Sequence, residues 1–215
     1  MRVSRLSQEE VVTFKNIIFD LGGVLLDLDF KGMNRKFQNL GIQDFEKYFT
    51  LKKQSSFFEE LELGLLTPAE FCERLRQESQ LDLEDRVIEE AWNLLLKDFN
   101  RERMRYLEKL SKKYKIFLFS NTNSIHAQCF EQKCLEQMGR SLESYFEKVF
   151  YSHGLHLRKP DKESFLEVLH LAGLQASETL FIDDNAANIA GAQESGLQTI
   201  HLQSPQTILD LELGL

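Results

Sequence analysis

Short apolar runs alternate with longer stretches of helical period along most of this 215-residue chain. The runs that read as strands are Asn16–Leu21, Lys115–Ser120, Lys148–Tyr151, Thr179–Asp183 and Gln198–Leu202. Two of them, "KIFLFS" and "TLFIDD", are continuous apolar runs between polar ends, as expected of strands covered on both faces. Between the runs, 124–138, 162–172 and 186–195 carry amphipathic helical patterns. Strand alternating with helix predicts an α/β fold, a parallel sheet with helices on both sides. The interval 30–98 differs, because helix follows helix there with no strand signal. "LTPAEFCERLRQES" opens with Thr67 as N-cap, Pro68 at the first helical position and Glu70 closing a capping box. Phe71, Cys72 and Leu75 form that helix's apolar face, and "DLEDRVIEEAWNLLLKDF", 82–99, reads as another helix. The expected organisation is a core of 1–29 and 99–215 interrupted by a helical lobe of 30–98.

Composition narrows the class. A formal charge of -8 and a pI near 5.3 argue against a nucleic-acid binder, which would present a basic face. The most basic stretch, "RERMRYLEKLSKKYK" at 101–115, places its charges opposite Met104, Leu107 and Leu110, the pattern of a solvated helix face. Cys72, Cys129 and Cys134 have neither metal-ligand nor CxxC spacing, which fits a reducing compartment. "MRVSRLSQEEVV" has no apolar signal region, and no run approaches a membrane span, so a cytoplasmic protein without a membrane partner is expected.

The chemistry gathers at strand ends. In a parallel sheet, ligands bind beyond the carboxyl ends of the strands. The first strand runs into Asp20, followed by Gly22 and Gly23; "KIFLFSNTN" ends at Ser120 and Asn121. "TLFIDDNAAN" ends at Asp183 and Asp184, with Asn188 a turn further on, and Lys159 follows the strand 148–151. Each alone reads as a turn or cap residue. Together they place three carboxylates, a hydroxyl, an amide and an ammonium at one crevice. Carboxylates sharing a pocket repel unless a cation compensates them, which implies a hard divalent metal such as Mg²⁺. Lysine, hydroxyl and backbone N–H groups then suit phosphate oxygens.

"FDLGGVLLDLDF", "FSNTN", "RKPDKESF" and "FIDDNAANIAGA" resemble the four ordered motifs of the haloacid dehalogenase (HAD) superfamily, and the helical insert resembles its C1 cap. The wording is similar to the subgroup that contains bacterial α-glucose-1-phosphate phosphatase. The resemblance implies a Rossmann-like HAD core with a small all-helical cap inserted after the first strand, acting as a Mg²⁺-dependent phosphatase on a small phosphorylated metabolite, with a sugar phosphate favoured. It makes Asp20 the nucleophile that forms an aspartyl-phosphate. Ser120 and the Asn121 backbone N–H would bind phosphoryl oxygens, and Lys159 would neutralise both phosphate and Asp20. Asp20, Asp184 and the Gly22 carbonyl would hold the metal, Asp183 would bind or orient it, and Asn188 would support the acidic loop.

One departure stands out. Phosphatases of this superfamily usually carry a second Asp two residues after the nucleophile as general acid and base, and here that residue is Gly22. Such help is worth about 10²–10⁴-fold. Three readings follow: a leaving group that needs little acid, such as the anomeric oxygen of a sugar 1-phosphate; a proton from a cap residue, a water, His153 or His156; or a non-catalytic phosphate-binding module. Asp27 and Asp29 lie too far along to substitute without a reversed loop and read as hinge residues. The dehalogenase branch also lacks that Asp, but needs no metal, which the pair Asp183–Asp184 argues against. In the insert, Glu59, Glu60, Glu62 and Gly64 are candidates to face the crevice, while Phe57, Phe58, Leu61 and Trp92 read as the lobe's own packing.

Overall fold

The computed structural model describes residues 14–43, 45, 49–50, 53–54 and 56–213. The two ends of the expected core, 1–13 and 214–215, lie outside the described residues. Strands β1 (Asn16–Phe19), β6 (Lys115–Ser120), β7 (Lys148–Tyr151), β8 (Thr179–Asp183) and β9 (Gln198–His201) form one sheet in the order β7-β6-β1-β8-β9. Every pairing in it is parallel, with Phe19 between Leu118 and Ile182. All five strands therefore end on the same edge, and the central β1 delivers Asp20 to the middle of it.

Side-chain alternation divides the sheet's packing in two. Ile17, Phe19, Leu118 and Ile182 face one side, with Met104 and Leu107 of α5 (Arg101–Leu110) and Phe130 of α6 (Ser124–Met138). Ile18, Phe117, Phe119 and Phe181 face the other, with Phe165 of α8 (Lys162–Ala172) and Ile189 of α9 (Ala186–Glu194). Both faces are dry, which is why these strands could be continuously apolar.

A third apolar cluster joins α1 (Phe30–Asn39), α2 (Ser56–Glu62), α3 (Pro68–Ser79) and α4 (Asp85–Asn93). It is aromatic, with Phe37, Phe58, Phe71 and Trp92 at its centre. The capping box opening α3 is present: Glu70 N–H donates to the Thr67 hydroxyl at 3.3 Å, and Thr67 N–H to the Glu70 carboxylate at 2.8 Å.

Two expectations fail in this interval. Phe49–Thr50 (β3) and Lys53–Gln54 (β4) form a short antiparallel pair, so the insert is not wholly helical. The helix expected over 82–99 is shorter, because α4 ends at Asn93 and Leu96–Phe99 becomes β5. β5 pairs antiparallel with β2 (Leu26–Leu28), as Leu26↔Phe99 and Leu28↔Leu96. A leucine run suits helix or strand equally, and its partner strand distant in sequence decided the outcome. Asp27 and Asp29 lie at this crossing. Asp27 accepts from Arg103 Nη1 at 2.7 Å, and Asp29 caps α1 by accepting from Gly32 N–H at 2.8 Å. No helix of the described residues is long and apolar enough to cross a membrane.

Candidate active site

A cavity of about 630 Å³ lies over the strand ends, between the sheet edge and the helical insert. Asp20, Gly22, Ser120, Asn121, Lys159, Asp184 and Asn188 all line it. Asp183 is fully buried behind them. The sheet thus brings together every residue that the motifs singled out.

Lys159 is the hub. It is 1% exposed and donates to Asp20 Oδ1 at 2.6 Å and to Asp183 Oδ2 at 2.7 Å. Burial acts to lower its ammonium, but Asp183 and Asp20 outweigh that and leave it raised and charged. Its backbone is clamped as well. The Asn121 side chain donates to the Lys159 carbonyl at 2.8 Å and accepts from its N–H at 2.9 Å. This role for the Asn121 side chain had no sequence signal, because the two residues meet only in the fold.

Asp183 is saturated by its neighbours. Its Oδ1 accepts from Asn185 N–H at 2.7 Å and from Asn188 Nδ2 at 3.2 Å; its Oδ2 accepts from Asn188 Nδ2 at 3.0 Å besides Lys159. Asp184 instead faces the cavity, with its carboxylate over Gly23, where a Cβ would come within 2.2 Å of Oδ2. Gly23 also has φ +73°, so glycine is required there on two counts.

Carboxylate oxygens of Asp20, Asp183 and Asp184 lie within 4.8 Å of one another. Three carboxylates against one ammonium leave an excess of negative charge. Burial pushes Asp20 up to about 7, with Asp183 adding to it and Lys159 opposing. Asp184 is raised first by burial and then by Asp183. That electrostatic strain is what a hard divalent cation would relieve, so the donor set fits Mg²⁺. Asp20 and Asp184, which line the cavity, could hold it; both oxygens of Asp183 already accept hydrogen bonds, from Asn185, Asn188 and Lys159.

The leaving-group side departs from what the sequence suggested. The loop after Asp20 does reverse: Gly23 N–H donates to the Leu26 carbonyl at 2.9 Å, and Leu26 N–H to the Leu21 carbonyl at 2.9 Å. Yet a side chain at Gly22 would meet Leu28, whose Cδ1 lies 3.0 Å from a Cβ built there, while Asp27 engages Arg103. Neither candidate histidine lines the cavity. His153 Nδ1 is 3.2 Å from the Thr122 carbonyl and His156 Nδ1 is 2.8 Å from the Leu63 carbonyl.

The histidine that does line it is His126, which the motifs passed over. The Asn123 amide donates to its Nδ1 at 3.2 Å, so Nε2 carries the proton and donates to the Trp92 carbonyl at 3.2 Å. Its ring stacks on Trp92 with centroids 4.8 Å apart, and burial holds its pKa down at about 4. Of the acidic candidates on the insert, Glu62 reaches the cavity and pairs with Arg158 at 2.9 Å, while Glu59 pairs with the same guanidinium at 3.3 Å. Gly64 packs instead on the His153 carbonyl.

A carboxylate at the end of the central strand, a buried lysine bonded to it and an acidic pair thus meet at one cavity. The chain belongs to the haloacid dehalogenase-like hydrolase family, whose model matches residues 14–196. It is 31% identical over 185 residues to D-ribitol-5-phosphate phosphatase of Bacteroides thetaiotaomicron, covering 86% of this chain and 90% of that one. It is 29% identical over 191 residues to a sesquiterpene phosphatase of Aspergillus oryzae, covering 88% and 90%. Among solved structures, a HAD family enzyme of B. thetaiotaomicron, an aspartate-to-alanine variant in complex with magnesium and inorganic phosphate, matches with TM-score 0.87 at 35% identity, over 90% of this chain and 96% of that one. Glucose 1-phosphate appears in none of these names, so the narrower subgroup resemblance gains no support from them.

Proposed function

We propose that this protein is a Mg²⁺-dependent phosphatase that cleaves a small phosphomonoester through an aspartyl-phosphate on Asp20. The observation that carries this is Lys159, buried and bonded at once to Asp20 and Asp183, with Asp184 completing the acidic group. Such a lysine fixes one Asp20 oxygen and neutralises charge that would otherwise repel an incoming phosphoryl group. Asp20 attacks phosphorus as the bond to the leaving oxygen breaks, and water then hydrolyses the acyl phosphate. Ser120 and the Asn121 N–H bind the phosphoryl oxygens. Asp20, Asp184 and the Gly22 carbonyl hold Mg²⁺, which when bound offsets negative charge on nucleophile and phosphate. Asp183, held by Asn188, positions Lys159. Residues 30–98 serve as a cap over the site. Two phosphatase relatives and a magnesium- and phosphate-bound neighbour support the reading.

A sugar phosphate remains the favoured metabolite class on the strength of the resemblance and of the ribitol phosphate relative. The test is phosphate release from a panel of sugar phosphates, nucleotides and small phosphoesters, with Mg²⁺ and with EDTA, beside Asp20→Asn. Mg²⁺-dependent release that Asp20→Asn abolishes is expected. Release that survives Asp20→Asn, or none across the panel from folded protein, would overturn the proposal.

A further inference from the structure

Asp27, Glu62 and Arg158 line the cavity yet take no part in the proposed reaction. They come from three places. Asp27 lies on β2 at the crossing between core and insert, Glu62 is the last residue of α2, and Arg158 immediately precedes Lys159. Each carboxylate is fixed by a guanidinium: Arg103 Nη1 donates to Asp27 Oδ1 at 2.7 Å, and Arg158 Nη2 meets Glu62 Oε2 at 2.9 Å. Arg103 is the enclosed partner of the first pair, 10% exposed against 49% for Asp27, and it lies off the cavity wall. Among the described residues it engages only Oδ1, so Asp27 keeps acceptor capacity at Oδ2.

These groups match hydroxyls. A hydroxyl is donor and acceptor at once, a carboxylate only accepts and a guanidinium only donates. One laid against the Glu62–Arg158 pair donates to the first and accepts from the second, and one facing Asp27 donates to it. Hydrogen bonds to charged groups that are already fixed are strong and need little further ordering. Partly exposed ion pairs contribute little to stability, which is a weak reason for placing three charges on a cavity wall.

We propose, resting on the phosphatase reading above, that Asp27, Glu62 and Arg158 are specificity-determining residues that bind the hydroxyls of the leaving group. The site then selects phosphate esters of polyols or sugars over esters of the same carbon skeleton without hydroxyls. A leaving group that lacks them covers three charged side chains and gives them no partner. Because Glu62 belongs to the insert and Arg158 to the core, a substrate that engages both also ties the cap to the core across the site.

Two matched pairs of primary alkyl esters read this: ribitol 5-phosphate against pentyl phosphate, and glucose 6-phosphate against cyclohexylmethyl phosphate. Acetyl phosphate, whose leaving group carries no alcohol hydroxyl, reports the reaction itself. In at least one pair the polyhydroxylated ester should exceed its counterpart in kcat/KM by about 10²-fold or more. Glu62→Gln and Arg158→Met should each lower the ratio of that ester to acetyl phosphate about tenfold. Asp27→Asn leaves the enclosed Arg103 without a counter-charge, so Asp27→Glu, which keeps the charge and moves the carboxylate, runs beside it and should lower the same ratio. Equal kcat/KM within both pairs, or a preference that all four variants leave unchanged, with acetyl phosphate turned over, would overturn the recognition and leave the phosphatase intact. No turnover of acetyl phosphate with Mg²⁺ present would overturn both.

Discussion

Replacing His126 by Gln tests the junction between α4 and α6 quantitatively. His126 is fully buried, its pKa held down to about 4 by burial against an ordinary 6.5, with the Trp92 carbonyl and the Asn123 amide as its partners. In the unfolded chain the imidazole binds a proton below about pH 6.5, and in the folded protein only below about pH 4. Its folded pKa is depressed, so the stability it contributes is fully present above pH 6.5 and is lost as pH falls towards 4. A gap of some 2.5 pH units corresponds to about 3 kcal/mol in full, of which about 2 kcal/mol is lost between pH 7.5 and pH 5. Carboxylates also titrate in acid, so the quantity to follow is the difference in unfolding free energy between wild type and His126→Gln. That difference should move by about 2 kcal/mol in disfavour of the wild type between pH 7.5 and 5, about 4–8 °C in relative Tm for a chain of this size. A difference that stays constant across this range would refute a buried neutral His126.

Three further outcomes follow from particular contacts. Gly23→Ala places a Cβ within 2.2 Å of Asp184 Oδ2 and forces φ +73° on a non-glycine residue; it should cost about 1–2 kcal/mol in unfolding free energy and raise the Mg²⁺ concentration for half-maximal phosphate release. Asn121→Ala removes both bonds to the Lys159 backbone and should lower kcat more than it raises KM, because in the proposed reaction the lysine acts on the reacting group. Thr67→Ala deletes a complete capping box on α3, remote from the cavity, and should cost about 1 kcal/mol by denaturant unfolding, with kcat within about twofold of wild type.

Local physics made much of this molecule readable from its residues. The central strands of the sheet are apolar through their middles because both faces are covered, and the pattern shows it directly between the polar ends of "KIFLFS" and "TLFID". The start of α3 is written in Thr67, Pro68 and Glu70, whose interactions span three residues. Asp20, Ser120, Lys159 and the pair Asp183–Asp184 could be gathered in advance, because a parallel sheet fixes which strand ends share an edge.

Long-range contacts decided the remainder. Leu96–Phe99 became a strand because Leu26–Leu28 offered an edge to pair with, and no local preference separates helix from strand in such a run. Asn121 clamps Lys159, Leu28 fills the space beside Gly22, and His126 lies under Trp92. The Asn121–Lys159 and His126–Trp92 contacts each depend on two segments far apart in sequence being packed together, and Leu28 is held near Gly22 by the pairing of β2 with the distant β5. Spacing along the chain carries information over a turn of helix or a pair of strand residues. Which side chain closes a cavity is set by how the insert sits on the sheet, and that is a property of the packed whole.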